Sequence, residues 1–178
     1  MGNAVKKAQQ ALTKEQHKQY DIIYASACIV LWQEYNWREK RIMKIFNDTM
    51  YVWEECGNTE LSMFEILEKE TGIEMALEGE KSYKEFMYFG GGQKKPLNDI
   101  QYAYMLQRYI KWMPSMIMTA LCISLHRQEG WGFERLSKFI YRIDLLRELF
   151  GTNLDKYADM MVAVTGHHPK EFWENKND

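Results

Sequence analysis

The chain has 178 residues, of which 46% are hydrophobic and 14% aromatic, enough to build the core of one domain and too apolar for intrinsic disorder. Its formal net charge is −2, and it holds no run of about 18 apolar residues, so no membrane span is expected. The polar stretch Met1 to Gln19 lacks the apolar centre of a secretory signal, and Lys6 stands where a myristoylation signal wants Ser or Thr. The three cysteines, Cys28, Cys56 and Cys122, are odd in number and widely spaced, which fits buried thiols in a reducing cytoplasm rather than disulfides or a zinc knuckle.

Apolar residues recur at helical spacing from the start. Tyr20, Tyr24, Ala27, Cys28, Leu31 and Tyr35 define one face of a first helix. Thr13 to Gln16 reads as a capping box ahead of it, and Asn36 suits a left-handed end. A second helix carries Ile42, Ile45, Phe46, Thr49, Val52 and Trp53 on one face and closes at Gly57 and Asn58. Ser62 to Glu65 forms another capping box, opening a short helix that stops at Gly72. Residues 73–89 hold Tyr83, Phe86, Tyr88 and Phe89 and fit a short helix or a hairpin equally, and Gly90, Gly91 and Gly92 follow as a flexible joint. A helical pattern then runs from Asn98 or Asp99 to about Glu129, with Pro114 implying two helices or one kinked helix. A helix from about Trp131 to Leu149 closes at Gly151, and a last one spans Asn153 to Gly166. Nothing alternates as strands do, so the fold class is all-α.

Residues 23–72 align with residues 117–166 without a gap, at a constant offset of 94. Ile23, Cys28, Ile29, Leu31, Trp37, Arg41, Lys44, Glu54, Thr71 and Gly72 match Ile117, Cys122, Ile123, Leu125, Trp131, Arg135, Lys138, Glu148, Thr165 and Gly166. The alignment predicts a single helical domain over residues 1–178, built from two fused three-helix units related by a pseudo-two-fold axis. Repeat one is 13–72, the joint is 73–97, repeat two is 98–166, and 167–178 is a tail. Structure explains most residues the copies share, so specific function is expected in what they do not share.

Catalytic signatures are missing. There is no nucleophile elbow, and the thiols are expected to be buried. His167 and His168 are adjacent, point in different directions and lack companion ligands. Gly90 to Lys95 lacks both the phosphate-loop pattern and a preceding strand. No catalytic residue, metal, cofactor or small-molecule substrate is predicted. The turns Asn36-Trp37 and Gly130-Trp131-Gly132 read as structural anchors. As helix-turn-helix units they would instead direct Arg38, Lys40, Arg41, Lys44, Arg135 and Lys138 to DNA, although Glu39 and Glu134 interrupt that charge.

The most unusual chemical feature is an acidic block, ten Glu against three Lys in residues 54–85. Glu54, Glu55, Glu60, Glu65, Glu68, Glu70, Glu74, Glu78 and Glu80 belong to it, with Glu85 at its edge. Glu65, Glu68 and Glu74 are expected to project outward from the third helix while Met63, Ile66 and Leu67 pack inward. The matching helix of the second copy has only Asp155 and Asp159, so the fold does not demand the acidity. It suits a surface made for a basic, nucleic-acid-handling partner. Aromatic residues near the Gly joint, among them Tyr102, Tyr104, Tyr109 and Trp112, add candidate interface anchors.

The segment Leu125-His-Arg-Gln-Glu-Gly-Trp-Gly-Phe-Glu-Arg-Leu136-Ser-Lys-Phe resembles small helical proteins of phages and prophages of Gram-positive gut bacteria. Leu31-Trp-Gln-Glu-Tyr-Asn-Trp-Arg-Glu-Lys-Arg41 looks like its degenerate first copy. As a whole the chain is similar to a family of type II-A anti-CRISPR proteins from Firmicutes. That resemblance implies a phage-encoded, non-catalytic inhibitor that binds guide-loaded Cas9 and blocks target DNA binding and cleavage. The acidic block would suit it, because Cas9 presents a basic channel and Arg groups that read the PAM. The net charge departs from that of strongly acidic DNA mimics. The alternatives are a DNA-binding phage regulator using the two turn-helix units, and a phage assembly protein.

Overall fold

Ile22 to Leu31 and Met116 to Leu125 leave almost no polar side on a helix, and a helix without a polar side has to be surrounded. A computed structural model describes residues 3–57, 63–75 and 99–169. Among them are six helices and no strand: α1 (Asn3–Tyr35), α2 (Glu39–Gly57), α3 (Met63–Thr71), α4 (Asp99–Glu129), α5 (Phe133–Phe150) and α6 (Leu154–Thr165). The two apolar stretches lie in α1 and α4, which pack against each other at the centre. Every residue from Met116 to Leu125 is buried, as is every residue from Ile22 to Leu31 except half-buried Tyr24.

Ala25, Ser26, Ala27 and Cys28 on α1, and Thr119, Ala120, Cys122 and Ser124 on α4, are small enough to let neighbouring helices approach closely. The hydroxyls among them satisfy themselves one turn back. Ser26 donates to the Ile22 carbonyl at 2.7 Å, Thr119 to Ser115 at 2.7 Å and Ser124 to Ala120 at 3.1 Å.

The other four helices form the shell. Ile42, Ile45, Phe46, Thr49 and Val52 are the buried face of α2, and Met63, Phe64, Ile66 and Leu67 that of α3. Both helices pack on α4. Leu136, Phe139 and Ile143 of α5, with Tyr157, Met161 and Thr165 of α6, pack on α1. Each central helix is therefore enclosed by outer helices from the other half of the chain, and α2 lies mainly against α4 rather than against α1, its neighbour in sequence.

Matching ends fall at the same offset in both halves. α1 and α4 end at Tyr35 and Glu129, α2 and α5 begin at Glu39 and Phe133, and α3 and α6 end at Thr71 and Thr165. The last two carry the same cap. Thr71 donates to Leu67 O at 2.7 Å and accepts from the Ile73 amide at 3.2 Å, while Thr165 donates to Met161 O at 2.8 Å and accepts from the His167 amide at 3.1 Å. At the start of α6 the Asn153 side chain accepts from the amides of Asp155 and Lys156.

Several expectations need correction. Thr13 caps nothing: α1 begins ten residues earlier, at Asn3, and the Thr13 hydroxyl donates to Gln9 O inside the helix. α1 was expected to bury one face and instead buries its whole circumference over Ile22–Leu31, because α4, α5 and α6 all cover it. Of the two arrangements expected around Pro114, one helix spanning it is the one formed, α4. Trp131 and Gly132 precede α5 rather than starting it. Asn58, Ser62, the helix-or-hairpin segment beyond Met75, the Gly90–Gly92 joint and Asn98 lie outside the described residues. No described helix is long and apolar enough to cross a membrane.

Trp131 is only 2% exposed and fills space between the halves. Trp131→Ala should lower unfolding free energy by about 3–5 kcal/mol in chemical denaturation. Leu149→Ala, at a side chain 69% exposed, should stay within about 0.5 kcal/mol of the parent.

Candidate functional site

Two surfaces were expected to carry function: the turn-helix units with their basic residues, and the acidic block. In the first turn Asn36 takes a φ of 55°, and in the second Gly130 takes 65°. This left-handed backbone ends α1 and α4, and only Gly or Asn adopts it at small cost. The following tryptophan amide reaches back into the helix, Trp37 N–H to Leu31 O at 3.1 Å and Trp131 N–H to Leu125 O at 3.5 Å. Both indoles then turn inward and meet edge to face, ring centroids 5.5 Å apart. Tyr35 lies 4.6 Å from Trp131, and Phe139 meets it edge-on at 5.6 Å. The His126 Nδ1 lies 2.8 Å from the Trp131 carbonyl and must be the protonated nitrogen, since a carbonyl only accepts.

The basic residues gather on these aromatics. The Arg41 guanidinium lies 4.1 Å from the Trp37 ring and also pairs with Glu129. Arg135 sits 5.3 Å from Trp131 and 5.9 Å from Tyr35. Arg38 covers Trp32 at 4.7 Å and donates to the Trp37 carbonyl at 3.2 Å. Lys138 pairs with Glu34 at 3.3 Å, and Arg142 bonds the same carboxylate. Four of the six basic residues expected to contact DNA therefore hold the turns and the two halves together. Lys40 and Lys44 are exposed and make no ion pair among the described residues; they border an open groove on α2 with Glu39, Met43, Asn47 and Asp48.

The acidic block divides. Arg127 of α4 gathers Glu55 from α2 at 2.8 Å and Glu70 from α3 at 2.8 Å, so two of the acidic side chains act as internal struts. These partners lie 72 and 57 residues apart in sequence, and no local signal announces the pairing. Glu68 and Glu74 are exposed and make no ion pair among the described residues. Glu74 stands beyond the end of α3, not on it as expected, in the irregular stretch Ile73–Met75. Glu54 is exposed and Glu65 half-buried. Glu60, Glu78 and Glu80 lie outside the described residues, as do Tyr83, Phe86, Tyr88 and Phe89. Trp112, expected as a possible interface anchor, is buried at 3% exposure.

All three thiols are buried. Burial, helped by nearby Glu39, pushes Cys28 up to about 12, and burial alone raises Cys122. Burial also raises Cys56, with Glu55 adding to it. No group of His, Cys, Asp and Glu among the described residues is arranged to hold a metal ion. No known family, curated protein or solved structure matches the chain.

Two outcomes follow for solution work. Ellman's reagent at pH 8 should leave Cys28 and Cys122 untouched in the native protein and titrate all three thiols after unfolding. Burial raises the Glu34 carboxyl, but Arg142 and Lys138 outweigh it, so it titrates below its ordinary 4.5. A lowered carboxylate stabilises the fold above its unfolded value and loses that contribution as pH falls through the folded one. Glu34→Gln should therefore cost roughly 1 kcal/mol at pH 7, with the gap to the parent closing below pH 4.5 in denaturation series.

Proposed function

We propose that this chain is a non-catalytic, phage-encoded binding protein that presents the acidic face around α3 to a basic nucleic-acid-handling protein, and that its partner is guide-loaded Cas9. The carrying observation is the exposure of Glu68 and Glu74 beside α3, neither of which makes an ion pair among the described residues. α6 presents Val162 where α3 has Glu68, so the negative charge is not a demand of helix packing. Carboxylates held on a rigid helical body compete with phosphates for a Lys- and Arg-lined groove, and the ordered body lowers the entropic cost of docking. Cas9 itself enters through the resemblance of the chain as a whole to a family of type II-A anti-CRISPR proteins.

The regulator reading has less support, because Arg38 lies on Trp32 and the Trp37 carbonyl, and Arg41 on Trp37 and Glu129, within the chain. A helix-turn-helix unit also packs its two helices together, whereas α2 lies mainly on α4.

The two halves are, on this proposal, copies of one three-helix unit joined as a fused pseudo-dimer. Equal offsets at the helix ends, the equivalent Arg-on-Trp pairs Arg41–Trp37 and Arg135–Trp131, and the repeated Thr caps support it.

The paired reversal Glu68→Lys with Glu74→Lys should weaken binding to guide-loaded Cas9 at least about tenfold while leaving the helical circular dichroism unchanged. Unchanged affinity removes the acidic face from the interface. Retention of duplex DNA by the protein alone, with a steep salt dependence, favours the regulator.

A further inference from the structure

The outward face of α5 carries Tyr141, Leu145 and Leu149 at successive four-residue steps, one stripe along the helix. Tyr141 is 60% exposed and Leu149 is 69% exposed, with Leu145 half-buried between them. Counted from the helix start, the same places on α2 hold Asn47, Tyr51 and Glu55. An outer helix in this position thus needs no apolar stripe to fold, and a contiguous exposed one marks an interface.

Charge selects the occupant. Arg135, Lys138 and Arg142 border the stripe on one flank, where, among the described residues, Lys138 and Arg142 share the carboxylate of Glu34 and Arg135 lies on the rings of Trp131 and Tyr35. Among the described residues that flank carries more positive charge than its one carboxylate balances. The carboxylates of α5 are elsewhere: Asp144 and Glu148 fall on the opposite flank, Asp144 paired with Arg147 at 3.1 Å, and Glu134 stands at the helix start. A second copy meeting this face antiparallel across a two-fold axis would set like flanks together, opposing the basic residues with Leu146 and Leu149 and no carboxylate.

We infer that the outer face of α5 is a second docking surface, for an amphipathic helix that lays apolar residues on Tyr141, Leu145 and Leu149 and glutamate or aspartate along the Arg135–Lys138–Arg142 flank. This surface is separate from the acidic face around α3 and stands whether or not the partner proposed there is correct.

The test uses the intact chain and two synthetic helical peptides of roughly 18 residues, each with leucines along one stripe. One carries glutamates on the flank and the other lysines. The glutamate peptide should bind, the lysine peptide should bind at least about tenfold more weakly, and Leu149→Asp should weaken the glutamate peptide by about as much. Because Leu149 is exposed, the thermal midpoint of that variant should match the parent, separating lost docking from lost folding. Failure of the glutamate peptide to bind, equal binding of both peptides, or glutamate-peptide binding unaffected by Leu149→Asp overturns the inference. So does concentration-dependent dimerisation in sedimentation that Leu149→Asp abolishes, which assigns the face to a second copy.

Discussion

Burial of the central stretches of α1 and α4 is the constraint on which the rest of the structure depends. Ile22–Leu31 and Met116–Leu125 have no side to offer to water, so neither α1 nor α4 is stable until it is enclosed. The chain encloses them by exchange: α2 and α3 cover the central helix of the second half, and α5 and α6 cover that of the first. Within the intact chain, the outer helices of each half lie mainly on the central helix of the other. The tryptophan turns follow from the same demand, because each reversal must release an outer helix toward the opposite partner. Trp37 and Trp131 meet where the halves cross, and their packing fixes the start of both outer helices.

This arrangement also settles where charge can act. Arg41, near the first turn, is drawn to the Trp37 indole face and to Glu129 across the two halves, so a residue that looks available for phosphate in sequence is occupied in the fold. Arg127 similarly draws in Glu55 and Glu70, converting part of an acidic run into a brace between α2, α3 and α4. Such partly exposed pairs contribute modestly to stability, but they remove charge from the recognition surface. What is left outward differs between the halves: carboxylates around α3, lysines on α2, and an apolar stripe with a basic border on α5.

Much of the fold was legible because its signals are local. Asn36, Gly130, Gly151 and Gly166 mark helix ends through backbone conformation, and the apolar period of α2 identifies the face that Ile42, Ile45 and Phe46 bury. The start of α1 is not legible in the sequence, because Thr13 and Gln16 satisfy a capping pattern that a helix interior also tolerates, the Thr hydroxyl bonding back to Gln9. Pro114 was ambiguous because sequence alone does not reveal whether surrounding helices will hold a continuous axis. The site was less legible than the fold. Glu34 and Arg142 lie 108 residues apart, and only tertiary structure turns them from two surface charges into a pair. The α5 stripe is not legible in the sequence, because Tyr141, Leu145 and Leu149 follow the period of a core face, and sequence does not distinguish a second apolar face from a buried one.

The measurement that bears most directly on the central claim is amide hydrogen exchange of the protein with and without guide-loaded Cas9. New protection concentrated in residues 63–75, where Glu68 and Glu74 stand, is the predicted result. An unchanged pattern there, or protection produced instead by duplex DNA along Lys40 and Lys44, would contradict it.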